Sequence, residues 1–433
     1  MISEESRRQA RSPRNSGGVG LVALVGVLLI GAGCSDSDED PVRVPGPVVR
    51  DSGGVRIVVN SEPQWDSSEG WRVVEEPLLT LGTEDGPPEE RFFRIRGASR
   101  LSDGTVAVLD AGNHQLRFYG SDGEHVVSVG GAGDGPGEFR FPNHLERLEG
   151  DTLQITDGWF RIRYDGEGRL VAHDRLPPER VLAIGGFQSE GCNVPSPLFL
   201  SSGVLLCEGN NDVRDMPQEP GPWLLQNRVV HAPWSLDRVD TLAAFLGRKA
   251  WVVVRGGGPF YTEPPMMAIG LFAVDGRQGR LAYANSHEYR IEVYSLHGGA
   301  LEMTVRMDGG ERAPTDAELE EAWEEAERLP SRMGVGGLRT ELPVPDLVSE
   351  ATRLHFDALG SLWVRGRESR DTHRVPYEVF SEDGIWLGNL MLPARLTIVE
   401  IGQDYILGVE RDVLDVERVV LYEIVRGVVT SSP

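Results

Sequence analysis

Acidic side chains outnumber basic ones by 67 to 43 in this 433-residue chain, giving a net charge of −24. A surface of that sign repels nucleic acid and anionic lipid headgroups, so nucleic-acid binding is excluded as a role. Hydrophobic residues make up 40% of the chain, enough for a core, and 53 glycines with 28 prolines imply a turn every few residues.

The first predicted element is a targeting segment over residues 1–33. Arg7, Arg8, Arg11 and Arg14 precede an apolar run from Val19 to Gly33 that is short for a membrane span of ~20 residues and right for a signal-peptide core. The run ends Gly31-Ala32-Gly33-Cys34, which resembles a bacterial lipobox and makes Cys34 the expected lipidation site. Ser35 stands where an inner-membrane retention signal would place Asp, so the outer membrane is the expected destination. Residues 34–54 are acidic, then rich in Pro and Gly, as a flexible tether would be.

A repeat then begins. Residues 79–110 and 127–157 share one pattern, with Leu81-Gly82 matching Val129-Gly130, Gly86-Pro87 matching Gly135-Pro136, Leu101 matching Leu148 and Asp110 matching Asp157. Short strands, Gly/Asp turns and a period of this length mark a radial β-array. Strand and turn signals predict six units over residues 55–427. The third is the least regular, with PLFL, VLLCEG, WLLQNRVVHAP and a trailing strand near TLAAFL. The sixth ends one strand short, and Arg72 to Gly82 is placed to complete it and close the ring, which avoids two unpaired sheet edges. A disordered tail is expected over residues 428–433.

Two features interrupt the blades. Cys192 and Cys207 flank a strand–turn–strand segment in a chain that carries an export signal, which favours a disulfide; the alternative is a pair of buried thiols. Residues 315–328 contain good helix formers, with Thr315 and Glu318 spaced as a capping box and Leu319, Ala322, Trp323 and Ala326 on one stripe. A short helix inserted between the fourth and fifth units is expected there, either as a fixed cap or as a mobile lid.

The segment GTVAVLDAGNHQLRFYGSDGEHVVSVGGAGDGPGEFRFP, from Gly104 to Pro142, resembles an NHL-type repeat. The mature chain is similar to six-bladed β-propeller lipoproteins of bacterial cell envelopes, which implies an all-β propeller and an envelope location. It implies no settled activity, because such propellers host binding modules, lyases and lactonases.

The candidate chemistry is sparse. Asp110 and Asp157 repeat at strand ends, as turn-bracing carboxylates would. The glycine loop Gly130 to Phe139 has neither a following helix nor a Lys-Ser/Thr, so it reads as a connector rather than a phosphate cradle. No histidine pair has metal-ligand spacing, and no cofactor is identified. His144 precedes an inner strand, where metal-dependent propellers hold their ion. Arginine recurs more regularly: Arg100, Arg147 and Arg353 within inner strands, and Arg94 and Arg140 in loops that reach the channel mouth. Grouped cations in an acidic protein would form an anion trap. These residues make up the candidate site for a small anionic ligand or a protein partner, with membrane contact only through the lipid anchor. The leading reading is a binding module rather than an enzyme. The alternative is a metal-dependent hydrolase or lyase of the gluconolactonase-like type, holding calcium or zinc.

Overall fold

The computed structural model describes residues 46–65, 70–177, 179, 197–209, 213–328, 337–368 and 373–427. The lipidation candidate Cys34, Cys192, and the proposed signal and tail segments lie outside them. Among the described residues, no helix is long and apolar enough to cross a membrane.

Among the described residues, six sheets of four or more strands follow one another along the chain. Sheet 1 is the meander Ile95–Arg100, Val106–Asp110, Gln115–Tyr119 and His125–Gly130; sheet 2 is Pro142–Arg147, Leu153–Asp157, Phe160–Tyr164 and Leu170–Arg175. Sheet 4 starts at Gly270–Asp275, sheet 5 at Arg353–Phe356 and sheet 6 at Leu396–Ile401. Each sheet bonds to the next. Gln154 donates to the Phe199 carbonyl in sheet 3, Ser201 to Gly276 beside sheet 4, and Arg280 to Gly360 beside sheet 5. Arg426 of sheet 6 reaches Asp357 of sheet 5, and Ser99 of sheet 1 donates to Glu400 of sheet 6 at 2.5 Å. The cycle closes, and the fold is an all-β propeller.

The core lies between sheets rather than at one centre. Ala107, Leu109 and Phe118 of sheet 1 meet Leu153, Ile155 and Ile162 of sheet 2, while Val106 and Val108 meet Leu407 and Val409 of sheet 6. Alternation along each strand sends side chains to both neighbours, so every interface is apolar on both faces. Where the first strands crowd together there is little room. A Cβ at Gly97 would stand 2.7 Å from the Leu145 side chain.

Ring closure occurs where the sequence places it. Leu79–Leu81 pairs antiparallel with Val419–Leu421, and Arg72–Val73 with Ile424–Val425. The predicted helix forms over Asp316–Arg328, with Glu318 N donating to Thr315 Oγ1 and Thr315 N to the Glu318 carboxylate. That is the reciprocal capping box.

Two expectations need correction. The proposed tether does not run to residue 54: Val48–Ser52 and Val55–Asn60 form a hairpin, and the second strand adds parallel to Leu301–Met307 at the edge of sheet 4. The chain then runs on to sheet 5, where Gln64 N and Trp65 N donate to the Trp386 and Leu387 carbonyls, and from there to sheet 6. The N-terminal segment is thus a belt along three outer edges. Gly388 is needed beneath it, because a Cβ there would come within 2.3 Å of the Trp65 ring. Sheet 3 is also larger than expected. The strand read near TLAAFL extends over Asp240–Arg255, and a fifth strand, Gly258–Thr262, follows it. The 13-residue strand Gly221–Pro233 supplies a partner long enough to pair with that extension.

Candidate functional site

Ser102, Glu149, Ser201 and Arg277, which follow the first strands of sheets 1 to 4, gather around one cavity, so the channel has a trailing end, where these strands finish, and a leading end, where they begin. Loops at each end come from residues preceding or following those strands. The six candidate residues divide between the two ends.

At the leading end, Asp157 braces the loop into sheet 2. Its carboxylate accepts from Arg140 N at 2.7 Å and Phe141 N at 2.5 Å. Asp110 does the equivalent for sheet 1, accepting from Phe93 N at 3.1 Å and from Asn113. The repeated aspartates are turn braces. The glycine loop is a connector too: Gly133 N donates to Phe139 O and Phe139 N to Gly131 O, with the Phe139 ring buried.

These braces present Arg94 and Arg140 on adjacent loops. Arg94 has left-handed backbone (φ 60°) and lies over the Phe93 ring at 5.0 Å. Arg140 is more than half exposed but is ion-paired with Asp134. His144, three residues into its strand's approach to the axis, is driven down to about 4 by burial, so it is neutral at physiological pH.

At the trailing end, Arg100 lies over the Tyr405 ring at 5.0 Å, with Asp404 3.7 Å away. Arg147 bridges Asp151 at 3.3 Å and Glu400 at 3.7 Å, linking sheet 2 to sheet 6. Glu400 also accepts from Ser99 and from the Tyr405 hydroxyl. Arg100 and Arg147 are therefore inter-sheet struts rather than free cations deep in the channel.

Arg353, expected as the third member of that series, does not occupy the equivalent position. Arg100 pairs with Val106 and Arg147 with Leu153, whereas the residue in that ladder position of sheet 5 is Phe356, opposite Leu362. Arg353 lies three residues earlier, at the leading end, exposed and opposite Arg365. The Arg-Leu dipeptide repeats, but the turn glycine that sets the register, Gly360, lies farther from it than Gly104 does from Arg100.

The sequence reading missed Glu146, Glu400, Arg365 and Arg367. Glu146 borders a trailing-end cavity of about 700 Å3 with Arg147, Asp151, Arg163, Ser201 and Arg277. Burial pushes its carboxyl up to about 7, against the lowering effects of a Ser201 backbone hydrogen bond, Arg277 and Gln154. The available signal was a carboxylate within an otherwise apolar inner strand, in HLERL and in LTIVEI. Cys207 is buried in Gly203–Gly209 and is disulfide-bonded. Among the described residues, no three His, Cys, Asp or Glu side chains converge where they could hold a metal ion.

No protein-family model and no curated protein matches the chain. Solved structures do. One is a DUF4221 family member from Bacteroides vulgatus, at 8% identity and a TM-score of 0.47, covering 83% of this chain and 100% of that one. Another is virginiamycin B lyase from Staphylococcus aureus, at 9% identity and 0.35, covering 82% and 99%. A third is a gluconolactonase from Xanthomonas campestris, at 12% identity and 0.31, covering 81% and 99%. The likeness is one of fold.

Proposed function

We propose that the chain is a six-bladed, NHL-repeat-like propeller lipoprotein of the bacterial cell envelope, anchored through Cys34 in the outer membrane. It acts as a binding module for an anionic ligand, or an acidic segment of a protein partner, at the leading end of the channel. The observation that carries this reading is the contrast among the arginines. Arg100, Arg140 and Arg147 are each matched by a carboxylate, whereas Arg94 and Arg353 have no ion pair among the described residues. In a chain at −24, carboxylates are abundant, and a guanidinium left without one at a channel mouth is available to a ligand.

Calorimetric titration with succinate tests the assignment. A charge-assisted contact is worth about 1.5–3 kcal/mol, so Arg94→Ala and Arg353→Ala should each weaken binding by at least about tenfold, with neither variant unfolding at a lower temperature than wild type. Wild-type affinity in both variants would rule out the channel mouth.

A further inference from the structure

A second feature at the leading end is a groove of about 1050 Å3 between the inserted helix and sheet 5. Thr352, Arg365 and Arg367, with Glu368 and His373 at its rim, form one wall, and Glu318, Glu320, Glu321, Glu324 and Glu325 of the helix form the other. An adjoining cavity of about 330 Å3, with Lys249 on its wall, shares Thr352, Arg367 and Met266 with it.

The basic wall is the unusual part. Arg365 sits directly opposite Arg353 in the ladder, an arrangement of like charges that destabilises a sheet. Among the described residues Arg365 donates to a neutral group, the Thr352 hydroxyl at 3.3 Å. Arg367 donates to the Ser349 carbonyl at 3.2 Å, and its burial weakens its hold on the proton. Neither has an ion pair among the described residues. By contrast, nearby Arg248 is paired with Glu263 at 2.7 Å, and Arg312 with both Glu318 at 2.6 Å and Glu350 at 2.5 Å. Glu350 and Glu318 act on Arg367 only from beyond ion-pair distance and are themselves held by Arg312, so the two arginines leave room for a negative charge supplied from outside.

The opposite wall restricts what can carry that charge. Glu320 and Glu324 are paired with Arg339 and Arg328 at the surface, and Glu325 has no ion pair among the described residues. These carboxylates lie within a Debye length, ~8 Å, of a groove occupant and repel a simple anion. A molecule with an oxyanion at one end and an ammonium at the other satisfies both walls.

We propose that this groove binds a dipolar small molecule, with its carboxylate or phosphate on Arg365, Arg367 and Thr352 and its cationic group toward Glu324 and Glu325. This extends the binding reading by naming a place and a ligand class, and it does not require the channel mouth to bind anything. The probes are γ-aminobutyrate and phosphoethanolamine, compared with butyrate, inorganic phosphate and sodium chloride at equal ionic strength, with thermal unfolding and calorimetry as readouts. At ten times its Kd, a probe should raise the unfolding temperature by about 2 °C over chloride for a chain of this size. Which dipolar probe binds more tightly distinguishes a carboxylate from a phosphate ligand. The double variant Arg365→Gln/Arg367→Gln should lose this shift, while its unfolding temperature without probe stays level or rises, because repulsion is relieved. Glu324→Gln/Glu325→Gln should keep the response to simple anions and lose the advantage of the dipolar probes. Arg94→Ala should leave all of these responses unchanged, so a failure at the channel mouth and a failure here are told apart. The proposal is overturned if dipolar probes act no differently from chloride, if the arginine double variant keeps the full shift, or if that variant unfolds several degrees lower without probe, as loss of a structural strut would require.

Discussion

Replacing Glu146 with Gln should make the protein more stable at neutral and alkaline pH. Burial lifts this carboxyl from 4.5 to about 7, so the folded state holds the proton more tightly than the unfolded chain does. Between those two values the folded state binds more protons, and stability falls as pH rises. The stabilising effect of protonation is full below pH 4.5 and gone above pH 7. At about 1.4 kcal/mol per tenfold difference in proton affinity, the span amounts to roughly 3 kcal/mol. Gln keeps the volume and an acceptor for Gln154, and it never ionises. At roughly 2.1 cal/mol/K per residue the unfolding entropy of the propeller is about 0.8 kcal/mol/K, so Glu146→Gln should unfold about 4 °C above wild type at pH 8. The two proteins should converge below pH 4.5. Calorimetric scans at pH 4, 6 and 8 read both ends of the range. A variant less stable than wild type at pH 8 would refute the reasoning, because it would mean that the ionised Glu146 earns net stability from Arg277 and Arg147.

Three further outcomes are expected. Asp157→Ala strands the Arg140 and Phe141 N–H groups and should cost about 2–4 kcal/mol in urea unfolding, whereas Asp157→Asn, which keeps an acceptor, should cost less than half of that. Deleting residues 72–82 removes the closing strands of sheet 6 and exposes the edge at Glu417–Val425, so the product should be recovered mainly as aggregate by size-exclusion chromatography; a soluble product with native unfolding would show closure by another route. Cys34→Ser should move the protein from the membrane fraction to the soluble fraction and abolish fatty-acid labelling, and unchanged membrane retention would indicate an uncleaved anchor.

The parts of this structure that sequence reveals are those set by local signals. The closing segment is legible because it lies immediately before the repeat and has a strand's alternation, and the helix because its cap is complete within four residues. The belt at residues 48–65 is not, since Pro and Gly upstream give it a linker's composition and its partners lie near residues 305 and 386. Arg353 misleads for a related reason. Its dipeptide matches Arg100-Leu101 and Arg147-Leu148, but ladder register follows the turn, and in sheet 5 the turn comes later. The arginine cluster beside the helix needs strand pairing to be seen at all, because nothing in the sequence tells whether a carboxylate will fold against Arg365 or Arg367.

The belt also dictates an order of events. Residues 55–81 are synthesised well before the strands they pair with, Leu301–Met307, Trp386–Pro393 and Glu417–Val425. Until those strands exist, the leading segment has nothing to join, and the three late sheets cannot mature without it. The protein therefore passes through its synthesis with its fastening unlatched, and a chain released a few dozen residues early would keep the edge of that leading segment exposed. Completion of the C-terminus, rather than assembly of any single blade, is the event that converts the nascent ring into a closed one.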